Sequence, residues 1–404
     1  MGEIFSLKNQ IQNYAWGSRE ILGRMRGVPV PTEQPEAEVW VGAHPAAPSR
    51  ATVDGTESPL NELIQAEPSR FLRPDRTSDW FPFLFKILAI DAPLSIQVHP
   101  TPEQAIAGFE DEQARGIAID APHRNYKDRY SKPETVIALT PMRVLTGVRT
   151  SAQLAELAEA FKADWLAERV ELTPKQLLTE IIRMPEEAAT AAVEQLVEAA
   201  AQLTDSDNPV IADAAELVQI VVGKYPGDIA GYAKVAALKQ YYQDCGAYVL
   251  LLDAGDYIQG DPTVSASQGT TAIELMNPSD NVMRAGLTAK HIDTEELIKV
   301  LGESQDAPVI QRPTPENAPV GTYAMWDERM SVTRIRVEEG KPQEYTFEGI
   351  SAALSVSGEI TIHAADGNGT EEFVLGATES VLHVGEPSAA TLSGSGELYI
   401  ASYV

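Results

Sequence analysis

Three short segments bring together residue types that could carry out metal-assisted acid–base chemistry. In Gln97-Val98-His99-Pro100 an amide oxygen and an imidazole stand two positions apart. Positions two apart on a strand share a face, so the two side chains can converge on one point. An imidazole beside a neutral oxygen donor suits zinc better than copper. Ser131-Lys132-Pro133-Glu134-Thr135 repeats that spacing with a cation and a carboxylate. Pro133 disfavours helix at Lys132, and in an extended segment Lys132 and Glu134 share a face. That pairs a carboxylate for a metal with an ammonium for a phosphate or an enediolate. The third segment, Glu274 to Thr288, holds a carboxylate, the turn Pro278-Ser279-Asp280-Asn281 and Arg284, with Lys290 and His291 close behind. Arginine is the usual two-pronged partner of phosphate.

The elements that must position these residues are mostly short strands. Val39-Trp40-Val41-Gly42, Phe83 to Leu88 and Leu94 to Val98 are β-favouring runs bounded by Pro, Asp or Gly. A helix is expected after His99, with Thr101 as N-cap, Pro102 at the first position and Gln104 closing a capping box. From Ser151 to about Gln243 the chain turns rich in Ala, Glu, Leu and Gln, and apolar residues recur three and four apart. Thr173-Pro174 starts one helix of this block, and Tyr225-Pro226-Gly227-Asp228 is a break. Strands return at Tyr248 to Leu252 and Ala272 to Met276, with a short helix at about Thr294 to Leu301. The last part is strand-turn-strand, with an alternating Ala352 to Ile362 and a hairpin signal at Asp366-Gly367-Asn368-Gly369.

The expected fold is therefore mainly β with an α insert, of jelly-roll type. Residues 1–148 and 245–300 would form one discontinuous β domain that carries the site. Residues 149–244 would be a helical insert, and 320–404 a second, C-terminal β domain.

Composition narrows the partners. The chain has 404 residues, 59 acidic against 31 basic, and a net charge of −28. Such a field repels nucleic acid and anionic membrane, which both need a basic footprint. No stretch approaches the ~20 apolar residues of a membrane span, and no signal peptide is expected. A single cysteine, Cys245, excludes an internal disulfide and any multi-cysteine metal site, and fits a reducing cytoplasm. The six histidines, at 44, 99, 123, 291, 363 and 383, are too scattered for an oxygenase-type centre of several converging imidazoles.

In this order the segments resemble the type I mannose-6-phosphate isomerase family. Asn13-Tyr14-Ala15-Trp16-Gly17-Ser18, Pro35 through Pro45, Phe83 through Pro100, Lys132-Pro133-Glu134 and Ser279 through Thr288 carry the resemblance. It spans the chain from about residue 10 to 295. The resemblance implies a double cupin and an aldose–ketose isomerase that interconverts mannose 6-phosphate and fructose 6-phosphate through a cis-enediol. It implies one zinc per chain, with Gln97, His99 and Glu134 as ligands. Arg284, Lys132 and Glu274 match catalytic positions, with Glu274 or Lys132 the candidate base. Trp16, Ser95, Asp280 and Lys290 match substrate-binding positions. The family's fourth ligand, a histidine, corresponds to Ser265, so zinc should be held more weakly unless Asp261 substitutes. The competing reading is a catalytically impaired cupin relative that binds a sugar phosphate or another anion. A monomer acting on a small sugar phosphate in the cytoplasm is expected.

Overall fold

The computed structural model describes residues 2–72, 80–92, 94, 96–140, 149–224, 256–259, 270–286, 291, 293–302, 312–366 and 369–404. Ser95, Asp261, Ser265, Lys290, Cys245 and the strand expected at Tyr248 to Leu252 lie outside the described residues.

A six-stranded sheet carries the segments of interest. Its order is Gln10–Gln12, Glu38–Val41, Leu84–Ile90, Thr270–Met276, Glu134–Ala138 and Asp256–Gln259. All neighbours are antiparallel except the last pair, which runs parallel. Alternation sorts the strands' side chains onto two faces. Val39, Val41, Phe85, Ile87, Ala89, Ile137, Ile273 and Leu275 point into the main apolar core. The opposite face holds Leu84, Leu88, Ala272, Met276 and Val136, interrupted by Lys86, Glu274 and Glu134. Polar residues in the middle of an apolar face are costly to bury, so this is where function is to be sought.

The main core is shared with a ten-stranded antiparallel sheet built mostly from Val320–Ala324 to Ser388–Tyr403. Three N-terminal strands join it: Glu3–Lys8 pairs with Ser380–Val384, and Arg50–Val53 and Thr56–Pro59 follow at the edge. The N-terminal residues are thus divided between the two sheets, a division that the local β patterns did not signal. The Asp366/Gly369 hairpin forms between the paired strands Ile350–Asp366 and Gly369–Gly376.

The helical block starts at Ser151–Ala160 and includes Pro174–Ile182, Glu186–Leu203 and Pro209–Lys224. The capping boxes at Thr101/Gln104 and Thr173/Gln176 are both formed. Leu154, Leu157, Leu177, Ile181, Leu196 and Val218 make a second core that also includes Phe109, Leu297, Val98 and Met283. Val98 and Met283 are register partners in a two-stranded ribbon, Ile96–Val98 with Met283–Gly286, and Gln97 pairs with Arg284 one position along. The helical block therefore grips the ribbon that carries Gln97 and Arg284. Among the described residues, no helix is long and apolar enough to cross a membrane.

Candidate functional site

Strand register builds the centre of the site. Trp40, Lys86 and Glu274 fall in one cross-strand row on the face that turns away from the main core. Glu274 Oε2 lies 2.6 Å from Lys86 Nζ, and Glu38 Oε1 lies 3.8 Å from it. All three charged side chains are buried. Lys86 Nζ also sits 5.3 Å from the centroid of the Trp40 ring, and the Trp40 indole N–H donates to Glu38. Burial works against the charge on Lys86, but Glu274, Glu38 and Glu134 together outweigh it and raise its pKa above the ordinary lysine value. Burial pushes the Glu38 carboxyl up, against the opposing pull of Lys86.

One row along the same face, Glu134 is the register partner of Met276. Its side chain is buried and its Oε1 accepts from the Lys132 ammonium. His99 Nε2 lies 4.0 Å from that same oxygen, with both side chains almost wholly covered. Lys132 and Glu134 thus share a face, as the extended reading of Lys132-Pro133-Glu134 requires. Gln97, two residues before His99, lies opposite Arg284 on the ribbon. Trp16 packs beside Leu88, Val136 and Ala272, and Tyr14 stacks on it at 5.9 Å. Gly17 follows Trp16 because the chain passes so close to Ala37 that a Cβ at residue 17 would lie 2.6 Å from its backbone.

The loop between Met276 and Met283 is fixed by a residue that sequence reasoning did not single out. Asp128 accepts from Ser279 Oγ at 2.9 Å, the Tyr130 N–H at 2.8 Å and the Asp280 N–H at 3.3 Å. Asn281, fully buried, accepts from the Lys127 N–H at 2.7 Å and donates to the Asp128 and Tyr130 carbonyls. Ser279 and Asn281 are therefore locked to residues 127–130, immediately before Lys132 and Glu134. Between them, Asp280 projects its carboxylate to His44, at 3.5 Å, and Lys127, at 3.8 Å. Burial raises its pKa, but His44, Lys127 and Lys132 outweigh that and bring it down to about 2. Burial lowers the Arg284 pKa, with Asp280 opposing.

Of the expected residues, His99, Glu134 and Lys132 stand together, and Glu274 lies on the same sheet face beside Lys86. Arg284 and Gln97 share the ribbon. Lys86, Glu38, Trp40, His44 and Asp128 were missed. Lys86 left one signal, a lone cation inside the apolar run Phe83 to Leu88. Among the described residues, no three His, Cys, Asp or Glu side chains form a ready cation cage.

The model of the type I phosphomannose isomerase catalytic domain matches residues 4–151. Mannose-6-phosphate isomerase from Escherichia coli (strain K12) is 30% identical over 414 positions, covering 97% of this chain and 97% of that protein. The chain belongs to the type I phosphomannose isomerase family. The Salmonella typhimurium mannose-6-phosphate isomerase is 33% identical over 322 positions, covering 75% of this chain and 78% of its own length. Among solved structures, an alanine mutant of the Salmonella typhimurium phosphomannose isomerase superimposes with a TM-score of 0.77, at 27% identity and 99% coverage of both chains. The enzyme from the same organism bound to fructose 6-phosphate and zinc gives 0.75, at 26% identity and 99% coverage of both. The mainly β architecture with its helices is that of these isomerases.

Proposed function

We propose that this member of the family interconverts mannose 6-phosphate and fructose 6-phosphate, with zinc held by Gln97, His99 and Glu134. The observation that carries the reading is the pairing of His99 with Glu134 on the sheet face that also buries Lys86 and Glu274. The donor set fits the ion: an imidazole and a carboxylate are ordinary zinc ligands, and the amide oxygen adds a neutral hard donor. His99 and Glu134 are 4.0 Å apart while Lys132 holds the same Glu134 oxygen.

When bound, zinc supplies Lewis-acid polarisation of the sugar oxygens and offsets charge developing along the C1–C2 enediol. The residues of the chain do the rest. Glu274, its carboxylate 2.6 Å from Lys86 on the same sheet face, is assigned here as the proton acceptor. Lys132, in contact with Glu134, is assigned to donate one or to meet the developing oxyanion. Arg284 offers a planar, two-pronged cation for the phosphate or the enediolate. Trp16 and Asp280 line the approach, and Ser95 and Lys290 join them through the family resemblance. The chain works as a monomer in the cytoplasm, a reading supported by its lone cysteine and its net charge of −28.

Ser265, where the family has a histidine, favours weaker zinc binding, and Asp261 is the candidate replacement. It also motivates the alternative of a catalytically impaired sugar-phosphate binder. Elemental analysis of metal-dialysed protein, parent and Ser265→His, tests this together with the rate of fructose 6-phosphate formation. Zinc affinity and rate should rise in the variant. Stoichiometric, tightly held zinc in the parent contradicts weak binding. Full zinc occupancy with no isomerisation in either protein supports the impaired alternative.

A further inference from the structure

We propose that His44 is a positioning residue for the isomerisation: its ring fixes the Asp280 carboxylate in the orientation in which it meets the sugar phosphate. This rests on the reading of Asp280 as a substrate contact.

His44 is buried, 6% exposed, just beyond the strand Glu38–Val41. Its ring stands edge-on to Trp40 at 5.0 Å, and Trp40 turns its face to Lys86. Its Nδ1 accepts the Ala46 backbone N–H at 3.2 Å, so that nitrogen carries no proton. The ring proton is therefore on Nε2, the nitrogen 3.5 Å from Asp280 Oδ1. One short turn thus selects the tautomer that can donate to Asp280. Beyond capping that turn, the ring turns its second nitrogen to a carboxylate on a distant segment of the chain.

Asp280 needs such a partner. Its backbone is pinned through Asp128, Ser279 and Asn281, but its side chain is 47% exposed, and rotation about its own bonds is the freedom left to it. Holding a substrate contact in one rotamer before binding removes an ordering cost that binding would otherwise bear. Lys127, 3.8 Å from the other carboxylate oxygen, is itself 44% exposed and is the weaker restraint.

A double-mutant cycle tests the proposal. His44→Asn keeps an acceptor for the Ala46 N–H but falls short of Asp280, whereas His44→Gln reaches Asp280 with an amide N–H. For the reaction from mannose 6-phosphate, His44→Asn should lower kcat/KM about tenfold, within the range for a misplaced contact. Its unfolding midpoint should stay unchanged. His44→Gln should recover most of the loss. In the Asp280→Asn background, His44→Asn should add nothing, because the contact is already gone. Parental kcat/KM in His44→Asn alongside an impaired Asp280→Asn overturns the proposal, and so does a fully additive double mutant. A fully active Asp280→Asn overturns it differently, by removing Asp280 from the substrate contacts. Imidazole 15N shifts of the parent protein give an answer that no variant's folding can obscure. A protonated Nε2 with a bare Nδ1 is expected, and the reverse tautomer refutes the proposal.

Discussion

Replacing Lys86 by methionine should destabilise the fold strongly, and more so as pH rises. Lys86 is buried 2.6 Å from Glu274 and 3.8 Å from Glu38. At an effective dielectric of about 20 those distances correspond to about 6 and about 4 kcal/mol of attraction. Desolvation of the three ions, several kcal/mol each, offsets most of that sum. The variant keeps the burial of two carboxylates and loses their cation. A net loss of about 3–5 kcal/mol is expected, the usual consequence of removing one partner from a buried pair. The pH dependence has a definite sign. Without Lys86 the Glu38 carboxyl, already raised by burial in the parent, rises further above the ordinary 4.5 in the folded state. Groups raised in this way add stability below the unfolded value and lose it as pH climbs through the folded value. The penalty should therefore grow between about pH 5 and pH 8, read from guanidinium unfolding followed by tryptophan fluorescence. Glu38→Gln is the contrast. Glutamine can still accept from the Trp40 indole, and the variant removes a charge that burial disfavours, so a change below about 1 kcal/mol is expected. A Lys86→Met protein within about 1 kcal/mol of the parent at pH 8, with no trend toward acid, refutes the reasoning.

Other consequences can be checked separately. His99→Ala and Glu134→Ala should each weaken zinc binding at least about tenfold, measured by competition with a chromogenic chelator. Asp128→Ala strips an acceptor from Ser279 Oγ and the Tyr130 N–H, so about 2–4 kcal/mol of stability should go, with kcat/KM falling as the loop loosens. Thr173→Ala removes the N-cap of Pro174–Ile182, and should cost about 1 kcal/mol in urea unfolding without changing KM. Asp280, its pKa lowered to about 2, keeps its charge and its stabilising effect above the ordinary 3.8 and loses them only as pH falls through about 2. An acidic limb of the rate profile above pH 4 should then keep its midpoint in Asp280→Asn even where the rate drops.

What could be read from the sequence was local. The capping boxes at Thr101 and Thr173, the helical block beginning at Ser151 and the hairpin at Asp366 depend on residues a few positions apart, and their chemistry is visible in a short window. Lys132 and Glu134 were legible for the same reason. Lys86 was visible as an odd cation in an apolar run, but its meaning depended on register, which sets Glu274 opposite it nearly two hundred positions later. Glu38, His44 and Asp128 have partners on distant segments, and although Pro35 through Pro45 carries part of the resemblance, no local pattern singles these side chains out. The strand Glu3–Lys8 likewise alternates like any half-buried strand, and its partner, Ser380–Val384, lies at the far end of the chain.

The central claim is that this chain isomerises the sugar phosphate with zinc held by His99, Glu134 and Gln97. The most direct measurement follows fructose 6-phosphate formation from mannose 6-phosphate by protein stripped with a chelator and then titrated with zinc. Activity should be lost on stripping and return with zinc, saturating near one ion per chain. Failure to form fructose 6-phosphate at full zinc occupancy, or a rate unaffected by complete removal of metal, would contradict the account.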